Sequence, residues 1–316
     1  MEYYLAPLEG ITNMYYRKYH DKYFNGVSKY FIPFLNPAQC NLSTRDEREL
    51  KKENNNLSKK VVPQIISKNA KETLWMINKL KNEGYDEINL NFGCPSGTVV
   101  AKGKGSGILK DLSVLDSYLN EVFTNSPLPI SIKLRLGLKD INEFDKILEV
   151  LNKYDIKELI IHPRTQLEKY NGPIHLDVLD SITSKTKFDI IYNGEIKSKE
   201  DIIYIQERFP FIKGIMLGRG LISIPDLLED SKDINKIKDF FNSLYNEYLS
   251  IFGWNNTKFY VKEIWALMIN YFIVPKDLKK KLFKAEKQTD IESIIKEIFD
   301  TCEINIHPEN GIKDIY

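Results

Sequence analysis

A lysine ends an otherwise apolar run, Ile130-Ser131-Ile132-Lys133. An ammonium in that setting must reach a polar opening, meet an anion or lose its hydration at a cost. An anionic ring is a suitable partner. His162 closes a second apolar run, Leu159-Ile160-Ile161, and registry with Lys133 makes it a candidate to face the same ligand. Two further apolar runs lead into Asn193-Gly194 and Gly218-Arg219-Gly220. Backbone N–H groups of such glycine-rich turns, backed by a guanidinium, suit a phosphate. Ser198 reads as the cap of a following helix, which sets aside a hairpin at Asn193-Gly194. Gly103-Lys104-Gly105-Ser106-Gly107 lacks the spacing and the strand-to-helix placement of a dinucleotide loop, and reads as a mobile lid.

These residues need a scaffold that brings them to one rim. Short β-branched runs alternate with longer amphipathic segments. The strands are expected at Tyr3 to Leu5, Lys29 to Phe34, Val61 to Ile65, Glu87 to Leu90, Ile130 to Leu134, Leu159 to His162, Asp189 to Tyr192 and Gly214 to Leu217. Helices are expected near Met14 to Tyr23, Ser43 to Glu53, Ala70 to Glu83, Leu112 to Phe123, Ile141 to Lys153, His175 to Ser184, Ser198 to Arg208 and Pro225 to Asp230. Eight strand-then-helix units, with central strands apolar on both faces, predict an α/β fold, a closed (β/α)8 TIM barrel. Beyond Asp233 the strand signal fades, and Ile237 to Phe252, Lys258 to Phe272 and Leu278 to Phe299 read as helices. The expected domains are a barrel over 1–233 and a small helical domain over 234–316.

In such barrels the functional groups lie at the C-terminal ends of the strands. Those positions hold Ala6-Pro7-Leu8-Glu9-Gly10, Gln64, Asn91-Phe92-Gly93-Cys94-Pro95, Lys133 with Arg135, His162 with Arg164, Asn193-Gly194-Glu195 and Gly218-Arg219-Gly220. One polar loop is uninformative; seven strand ends behaving alike mark a site.

Composition bounds the partners. The 316 residues are 42% hydrophobic and 28% charged, which excludes general disorder. Forty-five basic and 44 acidic side chains leave a net charge of +1, so a polyanion must be held by local patches. Cys40, Cys94 and Cys302 are odd in number and far apart, and supply neither a disulfide framework nor a metal site. No long apolar run predicts a membrane span, and the cytoplasm is the expected compartment.

The stretch Ile88-Asn89-Leu90-Asn91-Phe92-Gly93-Cys94-Pro95, continued by Ser96-Gly97-Thr98-Val99 and Gly105-Ser106, resembles the signature of the dihydrouridine synthase family, flavoenzymes that reduce uridines in transfer RNA. Ala6-Pro7-Leu8-Glu9-Gly10-Ile11-Thr12, Gln64, Lys133-Leu134-Arg135, His162-Pro163-Arg164-Thr165, Tyr170-Asn171-Gly172, Asn193-Gly194-Glu195-Ile196 and Gly218-Arg219-Gly220 extend the resemblance in order along the barrel. Leu8 stands where the family more usually has methionine, and Ile174-His175-Leu176 departs from its common pattern; both bear on substrate subtype.

The resemblance implies FMN as prosthetic group, with NADPH or NADH as reductant and NAD(P)+ as the formal acceptor. It places Pro7, Leu8, Glu9, Gln64, Lys133, His162, Asn193, Gly194, Glu195, Gly218 and Arg219 at the flavin. Asn91, Lys102, Arg135 and Arg164 fall at the substrate, and Cys94 falls at the proton donor. A thiol with an ordinary pKa of about 8.5 is protonated at neutral pH and can serve as that acid. The implied partner is tRNA, bound by a monomer without a membrane, and the lysines between Lys276 and Lys284 are candidates for phosphate contacts. Competing readings are an FMN barrel acting on a small molecule, similar to dihydroorotate dehydrogenases, the same chemistry on ribosomal RNA, and an RNA-binding barrel without catalysis.

Overall fold

The eight apolar runs become eight parallel strands that close into a barrel in sequence order. A computed structural model describes residues 1–305. The strands are β1 Glu2–Leu5, β2 Lys29–Leu35, β3 Lys60–Ile65, β4 Ile88–Phe92, β5 Ile130–Arg135, β6 Glu158–His162, β7 Asp189–Tyr192 and β8 Gly214–Leu217. Between and after them run α1 Met14–Tyr23, α2 Thr44–Leu50, α3 Ala70–Asn82, α4 Gly97–Ala101, α5 Leu112–Asn125, α6 Glu143–Leu151, α7 Asp177–Asp180, α8 Ile182–Lys185, α9 Lys199–Arg208, α10 Arg219–Ser223, α11 Ile234–Met268, α12 Lys276–Lys284 and α13 Gln288–Thr301.

The chain divides into two compact units. The first comprises Met1–Pro7, Ser28–Gly194 and Ile205–Met216; the second gathers Leu8–Val27, Glu195–Tyr204 and the chain from Leu217 onward.

In the first unit, Tyr4, Ala6, Phe31, Val62, Ile160, Ile191 and Met216 form an apolar cluster. At the N-terminal ends of the strands the interior is charged. Lys29 Nζ lies 2.6 Å from Glu158 and 3.5 Å from Glu87, while Lys60 and Lys157 reach Glu87 at 3.0 and 2.5 Å. Burial alone pushes the Glu87 carboxyl up, but Lys29, Lys157 and Lys60 outweigh it and hold the group below the usual carboxylate range. A fully buried carboxylate is tolerated here because it is paired on several sides.

In the second unit, α1 is capped by the Asn13 side chain, which accepts from the Tyr15 and Tyr16 amides. Its Tyr15 ring meets Tyr248 and Phe252 of α11 edge-on at 5.9 and 5.7 Å. Farther along α11, Trp265 packs against Phe241 and, from α13, Phe299, each at 5.5 Å. Gly253, at φ 66 and ψ 170, interrupts α11, so the expected separation of two helices there takes the form of a break in one. Among the described residues no helix is long and apolar enough to cross a membrane.

Several expected helices differ in form. Pro225 to Asp230 is a series of turns, and the helix after β8 is instead α10. His175 to Ser184 resolves into the single turns α7 and α8. Leu278 to Phe299 is two helices, because Ala285 and Lys287 are extended. Residues 306–316 of the expected helical domain lie outside the described residues.

Candidate active site

β4 runs two residues farther than its apolar run suggests, so Asn91 and Phe92 belong to the strand and the turn begins at Gly93. The Asn91 carbonyl oxygen accepts from the Gly93 and Cys94 amides at 3.0 and 2.9 Å, and its Nδ2 donates to Gln64 Oε1 at 2.7 Å. One side chain thus both seats the Cys94 turn and ties it to β3. The Cys94 carbonyl accepts from the Ser106 amide at 3.1 Å.

That bond changes the reading of the glycine-rich segment. Gly105, Ser106 and Gly107 are buried in a tight 3₁₀ turn, not a mobile lid. A Cβ at Gly105, which sits at φ 57, would lie 2.8 Å from the Cys94 Cβ. Glycine is therefore needed there for close packing against the cysteine.

Lys133 is the partner of Asn91 in the β4–β5 ladder. Burial, with the Arg135 guanidinium nearby, lowers its pKa to about 7 against a smaller opposing pull from Cys94. Its side chain makes neither a hydrogen bond nor an ion pair among the described residues. A partly buried cation at the C-terminal end of a barrel strand fits the electron-rich edge of a flavin ring.

His162 pairs with Arg135, whereas Lys133 pairs with Ile160. The expected registry of His162 with Lys133 is therefore wrong by two residues. Arg164 Nη1 lies 3.4 Å from His162 Nε2. Since a guanidinium only donates, that nitrogen accepts.

Arg135, expected at the substrate, is 1% exposed and committed to backbone: Nε donates to the Gly93 carbonyl at 3.0 Å, and Nη1 to those of Thr165 and Lys169 at 3.0 and 2.7 Å. It braces the Cys94 turn against the loop after β6. Gln166 adds a second brace, donating to the Pro95 carbonyl at 3.0 Å. Arg164 holds the Gly172 carbonyl at 2.7 Å. Tyr170 is 48% exposed and lies 5.3 Å from the Arg135 guanidinium. A half-exposed aromatic ring over a buried arginine suits base stacking, and only the Tyr-Asn-Gly motif marked it in the sequence. Lys102 is exposed at the end of α4.

Asn193 donates from Nδ2 to the Met216 carbonyl at 2.8 Å. A Cβ at Gly194 would fall 2.0 Å from the Tyr192 hydroxyl oxygen, so only glycine lets the chain leave β7 in this way. Pro7, also in this unit, follows the buried Ala6 directly after β1.

Within the second unit, Leu8 donates its amide to Thr12 Oγ1 at 2.7 Å, and Glu9 is exposed. Arg219, the residue after Gly218, is ion-paired with Glu195, which also lies 3.6 Å from Lys197 Nζ. Glu195 thus orients the guanidinium, and an anion reaching Arg219 must share it with that carboxylate.

A family model described as dihydrouridine synthase matches residues 4–301. A probable tRNA-dihydrouridine synthase of Staphylococcus aureus is 31% identical over 183 residues, covering 54% of this chain and 55% of that one. The chain thus spans about half the length of the Staphylococcus aureus relatives it matches. Probable tRNA-dihydrouridine synthase 2 of Bacillus subtilis is 26% identical over 258 residues, covering 77% of this chain and 78% of that one. Among solved structures, histamine dehydrogenase from Rhizobium superposes with a TM-score of 0.56 at 11% identity, covering 76% of this chain and 46% of that one. At that identity the likeness speaks for the barrel alone.

Proposed function

We propose that this chain, which belongs to the dihydrouridine synthase family, reduces uridines in tRNA to 5,6-dihydrouridine, with FMN as prosthetic group and NADPH as the preferred nicotinamide reductant. The observation that carries the reading is the Cys94 thiol within electrostatic reach of Lys133 and Arg135 at the barrel mouth. When bound, FMN supplies a hydride from N5 to carbon 6 of the uracil ring. Cys94 gives its S–H proton to carbon 5, where the electron pair of the former double bond is left, and solvent restores the thiol. The two cations stabilise the thiolate left behind, which lowers the cost of donation. Lys133 would stabilise negative charge on the reduced ring, and Gln64, His162 and Asn193 would help to hold it. Asn91 holds the uracil, with Arg164 and Lys102 on the substrate side; Pro7, Leu8, Glu9, Gly194, Glu195, Gly218 and Arg219 complete the flavin contacts.

We assign residues 1–233 to catalysis and 234–316 to RNA binding, in a cytoplasmic monomer. The target base must leave its stack to reach the mouth, at a cost of a few kcal/mol. Lys276, Lys279, Lys280, Phe283 and Lys284 of α12 line a surface cleft of about 400 Å³. Spaced at helical intervals on one face, the four lysines supply phosphate contacts that offset part of that cost.

The test is mass-spectrometric mapping of dihydrouridine in RNA from cells with and without the gene, together with identification of the flavin released by the purified protein. Loss of specific tRNA dihydrouridines and release of FMN are expected. A flavin that NADPH reduces but RNA never reoxidises would move the reading to a small-molecule barrel oxidoreductase.

A further inference from the structure

A chain of side-chain hydrogen bonds threads the barrel from its charged N-terminal pole to the Cys94 turn. Ser131 donates to the Ile88 carbonyl at 3.2 Å and toward Glu87 Oε1 at 3.4 Å. Asn89 Nδ2 donates to Ser131 Oγ at 3.0 Å, Gln64 Nε2 donates to Asn89 Oδ1 at 2.8 Å, and Asn91 Nδ2 donates to Gln64 Oε1 at 2.7 Å. The Gly93 and Cys94 amides complete it by donating to Asn91 Oδ1. Glu87, Asn89, Ser131 and Gln64 are all fully buried, and Asn91 is 8% exposed.

The direction of this chain is forced. Ile88 offers a carbonyl and Glu87 a carboxylate held ionised by three lysines, so both ends available to the Ser131 hydroxyl are acceptors. Its proton points there, its lone pairs face Asn89, and Asn89 must turn its amide nitrogen to them. Each amide in turn then has one allowed orientation. Low surrounding dielectric strengthens such a chain and makes any reversed member expensive. At its upper end both lone pairs of Asn91 Oδ1 are used and one Nδ2–H is engaged. The only group Asn91 still offers at the mouth is an N–H donor.

We infer that Asn89 and Ser131, which lie below the mouth, are positioning residues that fix the orientation of the Gln64 and Asn91 amides and thereby both the seat of the Cys94 turn and the donor-only character of Asn91. The ring edge that Asn91 meets must accordingly carry an acceptor, such as a ring carbonyl. The orientation follows from the chain alone; its catalytic consequence rests on the uridine-reducing reading above.

Ser131→Ala removes the acceptor of Asn89, Ser131→Thr keeps it, and Asn89→Leu cuts the chain with a side chain of the same branching. Amide hydrogen exchange read by mass spectrometry on peptides covering residues 89–96 is the deciding measurement, and needs neither flavin nor RNA. In Ser131→Ala and Asn89→Leu the Gly93 and Cys94 amides should exchange about five- to tenfold faster, the factor one net hydrogen bond is worth. Peptides from β6 and β7 should keep parental protection, and Ser131→Thr should restore the slow rate. In the flavin-loaded enzyme the same two variants should slow reoxidation by tRNA by a larger factor than reduction by NADPH. Unchanged exchange at Gly93 and Cys94 in both variants, or equal acceleration throughout the barrel, would overturn the inference. If exchange responds as expected while tRNA fails to reoxidise even the parent, the positioning role stands and the functional reading falls.

Discussion

Asn91 on β4 and Lys133 on β5 are direct partners in the parallel ladder, so the amide that seats the Cys94 turn and the cation that acts on its sulfur rise from one level of the barrel wall. Burial weakens the hold of that cation on its proton, and Arg135 opposes it from two residues along the same strand. A proton on Lys133 is thus held weakly until an electron-rich ligand arrives.

Flavin retention should depend on that proton. With the Lys133 pKa lowered to about 7, the amine is cationic below neutrality and increasingly neutral above it. Affinity of the flavin-free protein for FMN should fall as pH rises from 6 to 9. Lys133→Met should bind more weakly at pH 6 and lose that pH dependence. Fluorescence titration of FMN at fixed ionic strength reads both, and an unchanged pH profile in Lys133→Met would assign the dependence to another group.

RNA affinity should track one face of α12. Lys276, Lys279, Lys280 and Lys284 line the cleft with Phe283, whereas Leu278 and Leu282 are buried on the opposite side. Replacing Lys276, Lys279 and Lys280 by glutamine should weaken tRNA binding and flatten its log–log salt slope by about 0.9 for each duplex phosphate that the protein no longer neutralises. Lys281→Gln, outside the cleft, should change the slope less. A change from Lys281→Gln equal to one third of that from the triple variant would show that bulk charge matters and the face does not.

Much of this architecture is legible in the sequence, for physical reasons that also explain the gaps. β-branched runs covered on both faces reveal the eight strands, and the expected gap between Phe252 and Lys258 contains the break at Gly253 in α11. Level within the barrel is not legible, because strands in a closed barrel are staggered; a position counted from the strand end put His162 beside Lys133, where the register puts Arg135. Asn91 read as a loop residue because a polar side chain inside a strand resembles its end. Pro225 carries the signal of a helix start, yet the chain there makes turns, with the Leu227 amide donating to the Ile224 carbonyl at 3.0 Å. Nothing between Leu278 and Phe299 is glycine or proline, so the break between α12 and α13 leaves no local mark. Arg135 shows how a charge suited to substrate is instead consumed by backbone carbonyls that only tertiary structure brings to it.

Acid should unfold the second unit through His20. The ring is fully buried among Tyr16, Phe24 and Phe240, with centroids 6.0, 5.2 and 6.3 Å away. Burial lowers its pKa to about 3, only partly opposed by a backbone hydrogen bond to Pro225. Between about 6.5 and 3 the unfolded chain binds a proton that the folded one refuses. Stability is therefore full above about 6.5 and declines as pH falls, by about 1.4 kcal/mol per unit at the limiting slope. Urea unfolding at pH 7.5, 6 and 5 should show this decline in the parent and a shallower one in His20→Phe. Parallel declines in the two proteins would assign acid sensitivity to other groups.

Cys94→Ala separates the two half-reactions. The substitution removes the acid but keeps the backbone amide that donates to Asn91, and it touches neither Gln64 nor Lys133. FMN should bind normally, and NADPH should reduce it at a near-parental rate. Transfer to tRNA should slow by about 10²- to 10⁴-fold, the usual worth of a positioned acid. Single-turnover absorbance at the flavin band measures each half independently. If the variant passes hydride to tRNA as fast as the parent, another group supplies the proton. If FMN binding collapses instead, the packing of Gly105 against the Cys94 side chain is the more important contribution of this residue, and the turn from Gly93 to Gly107 belongs to the cofactor cradle.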